Sequence, residues 1–283
     1  MQPFRIQVPD PELDDLRSRL LATRWPEAET EPGWAQGVPL EWLRDLVAHW
    51  TDGYDWRERE ARLNTFPQVL APVDGLSIHA VHLRSPHPNA VPLVLTHGWP
   101  GSFAEYLAVA GPLVDPPAHG GDAADAVHVV IPSLPGYAFS SKPEVAGWGV
   151  ERVADAWVEL MGALGYPRFA AAGSDWGTSI SAAIGERHPE HVLALTLIPP
   201  LVSPDPATMD QLTDQEGRAI SDLRDREADG SAYSGVHQTR PQTIGYALVD
   251  SPVGTAAWIA ESGGRGATRA PTATHCATTC STW

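Results

Sequence analysis

FAAAGSDWG, running from Phe169 to Gly177, is the stretch that decides how the rest of the chain is read. Its first residues are small or apolar and read as a short buried strand. Gly173 and Gly177 then stand two positions either side of Asp175, the spacing of a sharp strand-to-helix turn that carries a nucleophile. Small neighbours let the backbone turn tightly, so the central side chain projects alone above the sheet. A helical run follows, Thr178 to Arg187, and its first amides favour an anion at the same place. The projecting residue is an aspartate. A carboxylate attacks amides poorly but can attack a strained or activated sp3 carbon, leaving an alkyl ester of Asp175 that water must hydrolyse. Two plainer readings compete. Asp175 could cap a helix after a buried strand, and Ser174 could act as a hydrolase serine, although it sits one place early in the glycine pattern.

Working outward, four more short strands frame this turn. VPLVL (Val91 to Leu95), VHVVI (Val127 to Ile131) and VLALTLI (Val192 to Ile198) are continuous apolar runs, which predicts buried strands. SIHAVHL (Ser77 to Leu83) alternates, which predicts an exposed or edge strand. Helical stretches, notably Val150 to Gly162, lie between them. Strands alternating with helices predict an α/β fold, a mostly parallel sheet covered on both faces with its chemistry at the carboxyl ends of the strands. At the end of VPLVL stands His97-Gly98-Trp99-Pro100-Gly101, a glycine-bearing turn able to present amides to a negative oxygen. The amides of Trp99 and Trp176 are therefore assigned as oxyanion donors. His97 lies beside that loop, which suits packing or loop hydrogen bonding better than the role of general base.

The flanks differ in kind. Residues 1–65 read as helices, with Leu13, Leu16 and Leu20, then Leu43, Leu46, Val47 and Trp50, at helical spacing. Trp25, Trp34, Trp42, Trp50 and Trp56 bring more apolar surface than so short a segment can bury alone, so it is expected to wrap against the main domain or overhang it. The α/β core is placed at 66–203. Residues 204–261 read as helices broken by Pro241 and Pro252, a partial lid over a pocket. Residues 262–283 contain no Leu, Ile, Val, Met or Phe and six threonines, which predicts a disordered tail.

Composition narrows the partners. Of 283 residues, 43% are hydrophobic and 19% charged, a globular balance. A net charge of −16 opposes binding to nucleic acid or to an anionic membrane. The N-terminus carries no signal-peptide pattern and no apolar run of membrane-spanning length occurs, so a cytoplasmic protein is expected. Cys276 and Cys280 with His275 make a weak zinc pattern, and neither a metal nor another cofactor is expected.

HGWPGS, SLPGYAFS (Ser133 to Ser140), GSDWG, HQTRPQT and the later DSP, taken in order, resemble the epoxide hydrolases of the microsomal type, as does the tryptophan-bearing N-terminal segment. The resemblance covers residues 1 to about 261. It implies an α/β-hydrolase fold with an N-terminal helical extension, and opening of a small lipophilic epoxide by Asp175 while a lid tyrosine, matched by Tyr233, assists the departing oxygen. A phenol suits that role because it stays protonated at neutral pH. Trp99, Trp176, Tyr137 and Phe139 are candidate pocket residues, and a homodimer is compatible with the resemblance. The family places its catalytic acid, base histidine and second lid tyrosine beyond the lid. Here the likeness stops at AAWIAE, and His237 fits the lid motif rather than the base position. The expectation is a chain truncated or frameshifted after about residue 261, with the C-terminal strands missing and turnover impaired. The rival readings are a haloalkane dehalogenase, which shares the aspartyl ester, and a non-catalytic pseudoenzyme.

Overall fold

The computed structural model describes residues 1–199, 205–230 and 232–264, and among them seven strands form one sheet. In chain order the main elements are β1 (Gln2–Phe4), α1 (Asp10–Leu21), α2 (Leu40–Asp52), α3 (Trp56–Leu63), β2 (Gln68–Val73), β3 (Leu76–Leu83), β4 (Val91–Thr96), α4 (Leu107–Val114), β5 (Val127–Pro132), α5 (Val150–Ala163), β6 (Phe169–Ser174), α6 (Trp176–Arg187) and β7 (Val192–Ile198). Four helices follow: α7 (Asp214–Gly230), α8 (Ala232–Thr239), α9 (Pro241–Asp250) and α10 (Pro252–Gly264).

The sheet order is β1-β2-β3-β5-β4-β6-β7. From β1 to β5 neighbours run antiparallel; from β5 to β7 they run parallel. The chain leaves β4 to form β5 on one side, then returns through α5 to form β6 on the other. This reversal sets the carboxyl ends of β4 and β6 side by side, with Thr96 opposite Gly173, and a crevice at such a point is where α/β sheets do their chemistry. α5 and α6 cover the sheet with Trp157, Leu160, Met161, Ile180 and Ile184, packed among Val94, Val130, Phe169 and Ala171.

Three elements differ from the sequence reading. The alternating Ser77 to Leu83 segment is no edge. β3 is paired on both sides, by β2 and β5, and Ile78, His79, Ala80 and Val81 are buried. His79 broke the apolar pattern because its ring is satisfied inside the protein, 2.8 Å from Ser133 Oγ and 2.9 Å from Gln68 Oε1. Conversely, the apolar run Val192 to Ile198 is the outermost strand among the described residues, with Leu193 44% and Ile198 62% exposed. Finally, the predicted helical region 1–65 opens with a strand, β1, that joins the sheet beside β2.

The chain divides into two compact units. One comprises Met1–Gln7 and Trp56–Val202 and contains the sheet; the other begins with Val8–Asp55 and takes in the described residues from 205 onward. The second unit is helical. Leu20, Leu43, Leu46, Val47 and Val253 form its core, against which Trp25, Trp42 and Trp50 pack together with Ala256 and Ala257 of α10. Those three tryptophans therefore pack on a core that α1 and α2 share with Val253 of α10, a partner the local pattern could not name. No helix among the described residues is long and apolar enough to cross a membrane. Cys276, Cys280 and His275 lie outside the described residues.

Candidate active site

Asp175 sits between β6 and α6 with φ 53° and ψ −121°. A non-glycine residue held there costs about 1–3 kcal/mol and persists only where its surroundings over-determine it. The surroundings do so by close approach. A Cβ on Gly177 would lie 1.8 Å from the Thr96 carbonyl oxygen, and one on Gly173 would lie 2.4 Å from the Gly177 carbonyl. The motif glycines thus have negative φ and are required by the contact of backbones, while the left-handed conformation falls on the aspartate itself.

The loop after β4 closes over the same point. The Trp99 N–H donates to Asp175 Oδ1 at 2.9 Å. A Cβ on Gly98 would lie 2.2 Å from that same oxygen, so only glycine admits the approach. Trp176 is the first residue of α6, where amides have no carbonyl one turn back to receive them. One carboxylate oxygen is therefore already matched to a backbone donor, beside the positive end of a helix.

Comparison with known proteins decides the family. A family model described as "Epoxide hydrolase N terminus" matches residues 1–106, and one described as "alpha/beta hydrolase fold" matches residues 91–231. The solved structure of Aspergillus niger epoxide hydrolase is 34% identical, superposes with a TM-score of 0.81, and is matched over 92% of this chain and 68% of that one. The chain belongs to the epoxide hydrolase family. Its fold is the α/β-hydrolase fold. A Stigmatella aurantiaca protein described as "Putative epoxide hydrolase" is 50% identical over 259 residues, 92% of this chain and 59% of the relative. "Epoxide hydrolase 1" of Sus scrofa is 32% identical, over 92% of this chain and 62% of its own length. The chain thus spans about three fifths of the curated relatives it matches.

Within this epoxide hydrolase scaffold the other predicted residues take distinct places. Tyr137 is half-buried, with its ring 5.3 Å from that of His97. Burial first, and the Asp175 charge second, push its phenol up to about 12, so it stays protonated. Phe139 packs with Phe4 and Phe103 around His79. Tyr233 is on α8 in the helical unit, its ring edge-on to His237 at 5.8 Å, and His237 Nε2 accepts from Trp258 Nε1 at 2.8 Å. His97 is fully buried. Its Nε2 accepts from the Leu134 N–H at 3.2 Å, which leaves the proton on Nδ1, 3.1 Å from the Gly98 carbonyl. Burial lowers its pKa to about 4, so the ring is a neutral tie between the two loops that carry Trp99 and Tyr137.

Sequence reasoning missed a polar group under the elbow. Tyr106 Oη lies 3.0 Å from the Thr96 carbonyl and 3.1 Å from Ser174 Oγ, and Ser174 Oγ lies 3.3 Å from Glu105 Oε1. The Ser174 hydroxyl is thereby engaged away from serine-nucleophile chemistry. A polar Glu-Tyr pair a few residues after HGWPG was the only signal, and it reads as an ordinary helix start.

Proposed function

We propose that this chain opens small lipophilic epoxides with Asp175 as the nucleophile. The hydrogen bond from Trp99 N–H to Asp175 Oδ1 carries the reading. It leaves Oδ2 to attack, and it puts a donor on the oxygen that becomes the ester carbonyl and then the oxyanion. Attack by Oδ2 forms a carbon–oxygen bond and breaks one bond of the ring. The departing oxygen takes a proton from a phenol, the part the family motif gives Tyr233. Water then adds to the ester carbonyl, charge gathers on Oδ1 towards the Trp99 and Trp176 amides, and collapse returns the carboxylate and a vicinal diol, the proton released from water restoring the phenol. Trp99, Trp176, Tyr137 and Phe139 belong to this proposal as apolar lining.

The second step needs a base to take the proton of water. His97 is unsuited, because its Nε2 lone pair already accepts from Leu134 and burial opposes its protonation. His97 is therefore not assigned as that base. Incubation of the purified chain with styrene oxide, followed by intact-mass and peptide analysis, is expected to give an adduct on Asp175 and none in Asp175→Asn. A wild-type protein that gives neither adduct nor diol would overturn the nucleophile assignment.

A further inference from the structure

Tyr233 stands on a helix with little of its own to hold it. α8 runs for 8 residues, and none of them is fully buried. So short a helix is marginal by itself, and the direction of the Tyr233 ring depends on what packs against it. α10 is the opposite case. Val253 is buried in the core of the helical unit, and Ala256 and Ala257 pack on that core. The Gly254 N–H donates to Ser251 Oγ at 2.9 Å, and the Thr255 hydroxyl donates to the Leu248 carbonyl of α9.

One side chain joins the two helices at the phenol. His237 lies one turn beyond Tyr233 on the same face of α8. Their ring centroids are 5.8 Å apart and their planes 74° apart, an edge-to-face pair. The other neighbour of His237 is Trp258 of α10, whose ring centroid is also 5.8 Å away and whose indole N–H donates to His237 Nε2 at 2.8 Å. An indole nitrogen donates and cannot accept. His237 Nε2 therefore carries no proton, and the ring is neutral with its hydrogen on Nδ1. Burial lowers the His237 pKa, which favours that neutral form. The same bond fixes which way the imidazole faces, since a half-turn of the ring would present carbon to the indole.

We infer that Trp258 and His237 are positioning residues that hold the Tyr233 phenol for the departing oxygen, an inference that rests on the epoxide-opening reading above. They act through the tyrosine: Trp258 fixes the imidazole, and the imidazole fixes the phenol ring. A general acid works only within hydrogen-bonding reach of the oxygen it protonates, and a misplacement near 1 Å costs about a hundredfold in rate. The well-packed α10 thus lends its order to a side chain on a helix that has no buried residue.

Nitrogen-15 NMR of protein labelled at the histidine rings tests the contact without any reaction. The ring signals that vanish in His237→Gln are expected to report a bare Nε2 and a protonated Nδ1. In Trp258→Phe, which keeps apolar bulk and loses the N–H, they are expected to average over both tautomers, and the ring signals of Tyr233 are expected to shift with them. A proton on Nε2 in the wild-type protein, or Tyr233 signals that ignore Trp258→Phe, would overturn the inference. The second arm is the rate at which styrene oxide is opened, read as adduct plus diol. Trp258→Phe should slow it about tenfold, and Tyr233→Phe at least as much. Combined with Tyr233→Phe, the Trp258 change should slow it no further, because both act through one phenol. His237→Gln, whose amide oxygen can accept the indole N–H, should recover part of the rate that His237→Leu loses. Equal slowing by Trp258→Phe with and without the phenol would reduce Trp258 to packing and overturn the positioning role alone. Wild-type opening in Tyr233→Phe would sink the phenol's part and its positioning together. A wild-type protein that opens no epoxide, yet meets the NMR expectations, would count against the nucleophile reading alone.

Discussion

At the scale of single residues the site is governed by clearances smaller than a methyl group. Asp175 holds its left-handed backbone because Gly98, Gly173 and Gly177 let three segments meet at distances no Cβ would survive. Gly98 separates function from folding most cleanly, since the atom its Cβ would strike is the carboxylate oxygen itself. Gly98→Ala is therefore expected to cost about 1–3 kcal/mol of stability, as overpacking does, and to lower Asp175 alkylation by about a hundredfold, as a misplacement near 1 Å does. A denaturant titration beside a timed mass measurement checks both. Alkylation at the wild-type rate would mean that the Trp99 amide does not need to reach Oδ1.

At the scale of elements, the site depends on how α5 meets β4. Trp157 is fully buried on α5, and its indole N–H donates to Thr96 Oγ1 at 3.0 Å. The same Thr96 accepts Tyr106 at its carbonyl and faces the Gly177 backbone. Trp157→Phe removes the donor and leaves a gap, which together should destabilise the fold by about 2–4 kcal/mol. Because the lost bond ends on Thr96, alkylation of Asp175 should slow as well. Thermal unfolding and the adduct assay separate the two effects. By contrast, Asp155 of α5 pairs with Arg187 and His188 at the end of α6, at 2.8 and 2.7 Å, and solvent-accessible pairs of this kind are worth about 0–1 kcal/mol.

At the scale of the whole molecule, buried histidines set the response to acid. His79 and His97 are fully buried, and desolvation chiefly holds both near a pKa of about 4 against 6.5 in an unfolded chain. The folded values are depressed, so the stabilisation is complete above about pH 6.5 and drains away as pH falls towards about 4. Each histidine should withdraw about 2 kcal/mol between about pH 7 and pH 5. The carboxylates of Asp74 and Asp155 are lowered by their arginine partners and give way only in stronger acid, so they do not blur this window. Urea midpoints across it should decline steeply; a flat profile would show that these rings do not change protonation on unfolding.

The sequence by itself determined the α/β class, the turn that carries Asp175 and the HGWPG loop, because each is written in a local run: small residues at fixed spacing, an apolar strand before, a helix after. It misjudged β3 and β7, since apolar pattern reports what a side chain prefers and not who its neighbour is. His79 is inside because Gln68 and Ser133 reach it, and Leu193 is outside because β7 ends the described sheet. Only the tertiary structure could place the Trp99 amide on the aspartate, set the early tryptophans on a core that includes Val253, and bring Glu105, Tyr106, Ser174 and Thr96 within hydrogen-bonding reach of one another. Those contacts join residues far apart along the chain, and nothing in local propensity encodes which distant groups the packed core will hold within a hydrogen bond of each other.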